Sequence, residues 1–351
     1  MRVAFYYGSL REPNDQTNPY GNLLADALAR HGVEVEYVLD HSEAWLRANA
    51  DRFDVMHWHW PSHEYNDPSS GPETERRMQQ FTDELRLARS LGWRVVWTAH
   101  NLYPHDRTHN DVHVAFRRAF VEIATAIISH CDRAADAVRR EFGLAAPMFV
   151  IPHGNFIDVL PPSVSRGEER AAHGIPDDAF VYGFIGNLLP YKGLEELIDA
   201  FKAVDPGDAW LLISGGTNPR EYGESIVAQA AGHPRIIVRC YDYAPGEAFV
   251  RVLQASEVIV LPFRASTTSG SLVQALSWPR PCIVPAMGCL PTQMDADAGI
   301  LYPPDEPEAL ERALREARSL DLPAAREAAW RSAVRADWDG VARRTIEAYR
   351  A

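Results

Sequence analysis

The sequence predicts an α/β protein built from two Rossmann-like, doubly wound domains in tandem, and three observations carry that prediction. Short apolar runs alternate with amphipathic helical stretches along the 351 residues, the pattern of parallel strands joined by crossover helices. The length, with 46% apolar and 24% charged residues, suits two cores better than one. A segment rich in proline and small polar residues, Asp158-Val-Leu-Pro-Pro-Ser-Val-Ser-Arg-Gly, separates two sets of strands and reads as a linker.

In chain order, the first set has strands at 3–7, 34–39, 55–58, 95–99, 126–129 and 148–151, each a short run of β-branched, aromatic or aliphatic residues. Helices fit between them at 20–31, 73–91 and 111–124, where apolar residues recur with helical spacing. Asn18 or Thr17 can cap the first of these, with Pro19 suited to its opening turn. The second set has strands at 182–185, 210–214, 236–239, 258–261 and 282–285, with helices at 193–204 and 269–277 among its connections. A last amphipathic helix near 338–349 can complete either domain. The division taken is 1–157, with 336–351 as its candidate completion, and 158–335.

Composition excludes several functions. The formal net charge is −13 and no block of like charge stands out, which disfavours a nucleic-acid binder, because phosphate-backbone recognition needs a basic face. The four cysteines form no Cys-x-x-Cys pair and no zinc spacing, so neither a disulfide scaffold nor a thiol-metal site is expected. The chain opens directly on a strand, without a signal-peptide core, and no apolar run reaches the length of a spanning helix. The expectation is a cytoplasmic protein whose membrane contact, if it has one, is peripheral. Two counts are more informative: only Lys192 and Lys202 among 35 basic residues are lysines, and 11 of the 13 histidines fall within the first 155 residues.

In open parallel sheets, ligands bind beyond the carboxyl ends of the strands. In the second half, Phe184-Ile-Gly-Asn-Leu-Leu-Pro-Tyr-Lys-Gly-Leu passes from a strand through Gly186 and Asn187 to Lys192 and Gly193, then into an amphipathic helix. This delivers a compact ammonium to a strand end, suited to a phosphate oxygen that gains charge as a bond breaks. A surface lysine at that place would oppose the helix dipole. Further on, a strand ends at Pro262, Arg264 offers a second cation, and Ser269-Gly270-Ser271 opens a helix whose free N–H groups can hold an anion. Gln274, one turn in, can reach a ribose hydroxyl. Gly215-Gly216 lets backbone approach a ligand closely, or makes a turn.

The first half has a different character. Asp54-Val-Met-His-Trp-His-Trp-Pro sets His57 and His59 on one side of an extended segment and Trp58 and Trp60 on the other. No further ligand has convincing metal spacing, so stacking and hydrogen bonding to a polar ligand is the reading, with no metal. Trp97-Thr-Ala-His-Asn-Leu-Tyr-Pro-His-Asp ends a strand with His100, Asn101, His105 and Asp106 in the next loop, where imidazoles and a carboxylate can act as general bases. Asn18 and Tyr20 follow the first strand, and His153 lies at the hinge.

Together these residues resemble a GT-B glycosyltransferase. The second half resembles the nucleotide-sugar domain of the family 4 group over about 180–335, through Phe184-Ile-Gly to Lys192-Gly193, Gly215-Gly216, Pro262, Gly299-Ile-Leu-Tyr-Pro and Asp305-Glu-Pro-Glu-Ala-Leu. Where that family has a Glu, seven residues and a second Glu, this chain has Ser266 and Gln274, and Asn187 stands where an Arg is expected. The resemblance therefore does not carry that family's retaining chemistry with it. Over almost the whole chain the sequence is similar to xanthan-type β-mannosyltransferases, through Asn18-Pro-Tyr, His57-Trp-His-Trp-Pro61, His100-Asn-Leu to His105, His153-Gly154, Pro190-Tyr-Lys-Gly and Ser269-Gly270 to Ala275-Leu276.

The resemblance implies two Rossmann-like domains facing across a cleft, and transfer of mannose from GDP-mannose to a lipid-linked or oligosaccharide acceptor of exopolysaccharide or glycolipid synthesis. It implies a sugar nucleotide as donor, no separate cofactor, and work at the inner face of the membrane. Gly186, Asn187, Lys192, Gly193, Gly215, Gly216, Arg264, Ser269, Gly270, Ser271 and Gln274 would hold the donor. Asn18, Tyr20, His57, Trp60, Asn101 and His153 would meet the acceptor. An inverting route needs one acceptor-side base, with Asp106, His105, His59 and His100 as candidates in that order. Two other readings fit the same site: a nucleotide-sugar 2-epimerase, and a non-catalytic sugar-nucleotide binder suggested by the missing glutamates.

Overall fold

The computed structural model describes residues 1–7, 18–104, 108–143, 146–157, 159, 165–204, 207–217, 220–242, 244 and 246–351. The chain divides into two compact units: the first strand with Asn18–Gly154 and Asp337–Ala351 makes one, and Asn155–Ala336 the other.

The first unit is a six-stranded sheet of β1 (Arg2–Tyr6), β2 (Glu34–Tyr37), β3 (Val55–Trp58), β4 (Arg94–Thr98), β5 (Ala126–Ser129) and β6 (Met148–Val150). The order is β2-β1-β3-β4-β5-β6 and every pairing is parallel. Because side chains alternate across a strand, the sheet has two buried faces. Tyr6, Met56, Trp58, Val95 and Trp97 join one core with Phe81 and Phe116 from the helices Gly71–Ser90 and Asn110–Ile123. Val3, Phe5, Val55, Val96 and Ile128 join the other, with Leu24 and Leu28 of the helix Tyr20–Arg30 and Val341, Ile346 and Tyr349 of the helix Trp338–Arg350. The C-terminal helix therefore closes a face of the sheet that begins the chain. Gly154 permits its return, since a Cβ there would lie 2.5 Å from the Trp338 indole.

The second unit repeats the architecture with β7 (Val181–Ile185), β8 (Trp210–Gly216), β9 (Ile236–Tyr241), β10 (Val258–Val260), β11 (Cys282–Pro285) and β12 (Gly299–Tyr302), in the order β12-β11-β10-β7-β8-β9, all parallel. β12 was not among the expected strands; it pairs only with β11 and lies at the sheet edge. Arg170, wholly buried, ties this unit together: its guanidinium donates to the Ala179 and Ala255 carbonyls and to Glu257, whose other oxygen takes Arg166.

The second unit starts at Asn155, a few residues before the expected boundary, for a local reason. Asn155 donates through its backbone to Ala336 O (3.0 Å) and through Nδ2 to Ala333 O (3.0 Å), and Phe156 N–H donates to Ser277 Oγ (2.9 Å). These bonds belong to the second unit, so the proline-rich segment does not mark the change.

Candidate active site

In a doubly wound sheet the crevice opens where the strand order reverses, and in the second unit that is between β7 and β10. The residues singled out from sequence converge there. Gly186 leaves β7 at φ +127°, and a Cβ on it would lie 2.8 Å from Ser271 Oγ and 3.9 Å from Lys192 Nζ. Lys192 closes a short 3-10 turn, Pro190–Lys192, and Gly193 follows at φ +69°, where a Cβ would meet Pro262 O at 2.1 Å. Only glycine fits this left-handed, backbone-contacting position. Lys192 thus sits over the end of β10 between two aromatic rings, its Nζ 4.4 Å from the centroid of Phe263 and 5.1 Å from that of Tyr191.

Half-buried in this box, the Lys192 ammonium has no hydrogen bond or ion pair with another described residue. Desolvation pushes its pKa down to about 8. Beside it, the helix Gly270–Ser277 is capped by Ser269, whose Oγ accepts from Leu272 N–H at 3.1 Å. The cap leaves the Gly270 and Ser271 N–H groups for an external acceptor. One unpaired cation, a hydroxyl and a helix N-terminus around a residue without a side chain form a cradle for an oxyanion. Tyr191 and Phe263, which set the lysine's environment, were not singled out from sequence, although both flank residues that were.

Other donor-side expectations change. Arg264 is not a free phosphate cation: its guanidinium is taken by Glu195 (3.0 Å), by both oxygens of Glu196 (2.5 and 2.7 Å) and by Pro190 O. Its charge is spent on fixing the turn that carries Lys192. Gly215 and Gly216 do not follow β8 but extend it, paired with Cys240 and Tyr241. What approaches them is the chain's own backbone: a Cβ on Gly215 would lie 1.8 Å from Gly186 O, and Leu188 N–H donates to Gly216 O at 2.7 Å. Asn187 is exposed beside Gly216, and Gln274 is half-buried.

In the first unit, four successive strands end in histidine: His59 after β3, His100 after β4, His130 after β5 and His153 after β6. All are at least nine-tenths buried. His59 Nδ1 lies 2.9 Å from His100 Nε2, His100 Nδ1 lies 3.0 Å from His130 Nε2, and His130 Nδ1–H donates to Ile151 O at 3.0 Å. Burial lowers every one of their pKa values, to about 4 for His130 and about 3 for His153, so the imidazoles are neutral at pH 7. The Tyr20 ring touches His59, His100, His130 and His153, with centroids 4.8 to 5.9 Å away.

This geometry corrects several first-half expectations. His57 is fully buried, with Nδ1 2.7 Å from Tyr349 Oη and Nε2 2.8 Å from Thr98 Oγ1, so it fastens the C-terminal helix and does not face an acceptor. His100 has both ring nitrogens engaged and His59 is 1% exposed, which removes both as bases acting directly on solvent-borne substrate. Tyr20, 2% exposed, is likewise a packing hub, and His153 is buried with Nδ1–H on Gly154 O. Trp60 is not opposite the histidines. β3 ends at Trp58, and the following turn swings Trp60 onto the histidine side, where it stacks on His100 at 4.6 Å and 18° and stays half-buried. Asn101 is half-buried, and Asn18 is exposed with Oδ1 accepting from Tyr20 N–H. Asp106 and His105 lie outside the described residues. His130, central to the array, was missed; its signal in the sequence was a histidine at each of several consecutive strand ends.

Among the described residues, no three His, Cys, Asp or Glu side chains are grouped to hold a metal ion, and no helix is long and apolar enough to cross a membrane.

The chain resembles known glycosyltransferases in sequence and in fold. Residues 179–319 match the family described as Glycosyl transferases group 1. The chain is 28% identical over 281 residues to the GDP-mannose:glycolipid 4-beta-D-mannosyltransferase of Xanthomonas campestris pv. campestris, covering 79% of this chain and 72% of that protein. It is 28% identical over 218 residues to the D-inositol 3-phosphate glycosyltransferase of Corynebacterium urealyticum, covering 58% of this chain and 51% of that one. The fold is that of sucrose-phosphate synthase from Thermosynechococcus elongatus (TM-score 0.75, 18% identity, 99% of this chain and 98% of the other). It is equally that of Anabaena HepE solved with UDP and glucose (TM-score 0.71, 17% identity, 99% and 98%). With a group 1 domain built on the strand ends that carry Lys192, and a GT-B fold throughout, the chain is a glycosyltransferase.

Proposed function

We propose that this enzyme transfers mannose from GDP-mannose to a hydroxyl of a saccharide or glycolipid acceptor, by an inverting route that uses no metal. The observation that carries the donor side is the convergence of Lys192, Ser271 and the Gly270–Ser277 N-terminus on the bare Cα of Gly186. A departing nucleoside diphosphate gains charge at its β-phosphate; an ammonium and two backbone N–H groups already oriented there stabilise it without reorganisation. The choice of GDP-mannose is supported by the Xanthomonas relative, a GDP-mannose:glycolipid 4-beta-D-mannosyltransferase.

The acceptor is assigned to the first unit, where Trp60 and Asn101 present partly exposed side chains at the ends of β3 and β4. With His59 and His100 enclosed, the acceptor base is assigned to Asp106 or His105. A lipid-linked acceptor would bring the enzyme to the inner face of the membrane as a peripheral protein, which flotation with anionic vesicles tests.

The discriminating experiment is thermal stabilisation by GDP, UDP and ADP, followed by incubation with GDP-mannose alone and with candidate acceptors. The expected result is the largest shift with GDP, and release of GDP that depends on acceptor. Conversion of the sugar nucleotide without acceptor would identify an epimerase, and binding with no turnover under any acceptor would identify a non-catalytic binder. Preference for UDP or ADP would overturn the mannose assignment.

A further inference from the structure

Hydrogen bonds in the histidine array have a direction, and the direction is set from one end. Ile151 O can only accept, so neutral His130 carries its proton on Nδ1 and offers a lone pair at Nε2. His100 Nδ1 must then be the donor across the 3.0 Å contact, which leaves His100 Nε2 as a lone pair. His59 Nδ1 must in turn donate across 2.9 Å, and His59 Nε2 is left unprotonated. That last atom is buried and has no partner among the described residues, so none of them competes at the far end with the carbonyl in fixing the polarity. The same His100 ring lies flat against Trp60, 4.6 Å between centroids. It has no rotational freedom, because both of its nitrogens are committed.

We propose that His130 is a positioning residue for the acceptor side of the site: by directing a three-imidazole chain from Ile151 O it locks the His100 ring, and His100 in turn sets the orientation of Trp60. The role rests on the acceptor assignment of Trp60 made above. His130 itself touches neither donor nor acceptor. Burial supports the chain by keeping all three rings neutral; an imidazolium at His130 or His100 would place two N–H groups face to face. Tyr20, His57 and His153 also contact these rings, and no carboxylate of a described residue bonds to them.

The test is 1H–15N correlation, long-range for the histidines, of the full chain labelled with 15N-histidine and 15N-tryptophan, at pH 7.5 and without ligand. The expected result is Nδ1–H on His130, His100 and His59, with His59 Nε2 in the unprotonated region. Two substitutions separate direction from packing. His130→Phe keeps a ring but removes the directing bonds, and His100 or His59 is expected to change tautomer, with a shift of the Trp60 indole N–H signal, itself assigned by its loss in Trp60→Phe. His130→Gln offers an amide N–H to Ile151 O and a carbonyl to His100 Nδ1–H, so the wild-type tautomers and Trp60 signal should return. An Nε2–H tautomer on any of the three histidines in the wild type, or an unmoved Trp60 signal in folded His130→Phe, overturns the proposal. If His130→Phe does not fold, the wild-type tautomers and the Gln variant still decide it. None of these readouts needs a substrate, so they fail separately from the transferase reading, which fails instead if GDP does not bind.

Discussion

The two units share one architecture and use their strand ends in opposite ways. In the second, several polar groups are unspent: among the described residues, Lys192 has no carboxylate partner, and the Gly270 and Ser271 N–H groups have no acceptor. In the first, the strand-end histidines turn inward and bond to the unit itself, as His57 does with Tyr349 and Thr98, and His130 with Ile151 O, with His59 Nε2 left buried at the end of the array. A binding site for a charged ligand has to keep its electrostatic capacity free until the ligand arrives. A scaffold for a neutral ligand can spend its polar groups on holding an aromatic surface such as Trp60 in place.

The sharpest way to break this contrast is to remove the Lys192 cation. Lys192→Ala is expected to lower GDP release from GDP-mannose by about 10²–10³-fold while circular dichroism and unfolding stay those of the wild type. Near-normal turnover would show that the cradle is not the phosphate site. Lys192→Arg should recover little, because the planar guanidinium does not fit between Tyr191 and Phe263 as a compact ammonium does.

A second test uses acidity to separate the units. His57, His130 and His153 have folded pKa values depressed to about 3, 4 and 3 by burial. Above pH 6.5 neither folded nor unfolded histidine is charged and they contribute no pH dependence. As pH falls below 6.5 the unfolded chain binds protons that the folded chain cannot, so stability is lost down to the folded values, by about 1–2 kcal/mol per histidine at pH 5. His41 acts oppositely: despite desolvation, its bonds to Glu64 and Glu84 raise it to about 9, so its stabilisation is complete below 6.5 and lost as pH rises through 9. Hydrogen exchange resolved along the chain should show residues 18–154 loosening first between pH 7 and 5. Equal loosening of 165–336 would refute the contrast.

The smallest effect is expected at Arg264. Because Glu195 and Glu196 already consume its charge at an exposed site, Arg264→Ala should change GDP affinity by less than about threefold, measured by calorimetry. A loss as large as that of Lys192→Ala would restore it to the phosphate site.

Much of the donor cradle was legible because it is local. Gly186, Lys192 and Gly193 occupy one turn between a strand and a helix, and the scarcity of lysine singles out Lys192 at that strand end. The engagement of Arg264 was not legible because its partners, Glu195 and Glu196, lie 69 and 68 residues away in sequence and come beside it only through the pairing of β7 with β10. The histidines were legible as a concentration but not as a chain, since His59, His100 and His130 are separated by 41 and 30 residues.

The sequence by itself determined the α/β alternation, the two sets of strands and the strand-end position of the chemistry-bearing residues. Each of these follows from periodicities of a few residues and from glycine and proline placement. Only the tertiary structure decided which polar groups were free. That depends on what lies opposite each side chain, and in parallel sheets the opposite residue comes from another strand or from the C-terminal helix, as Tyr349 does for His57.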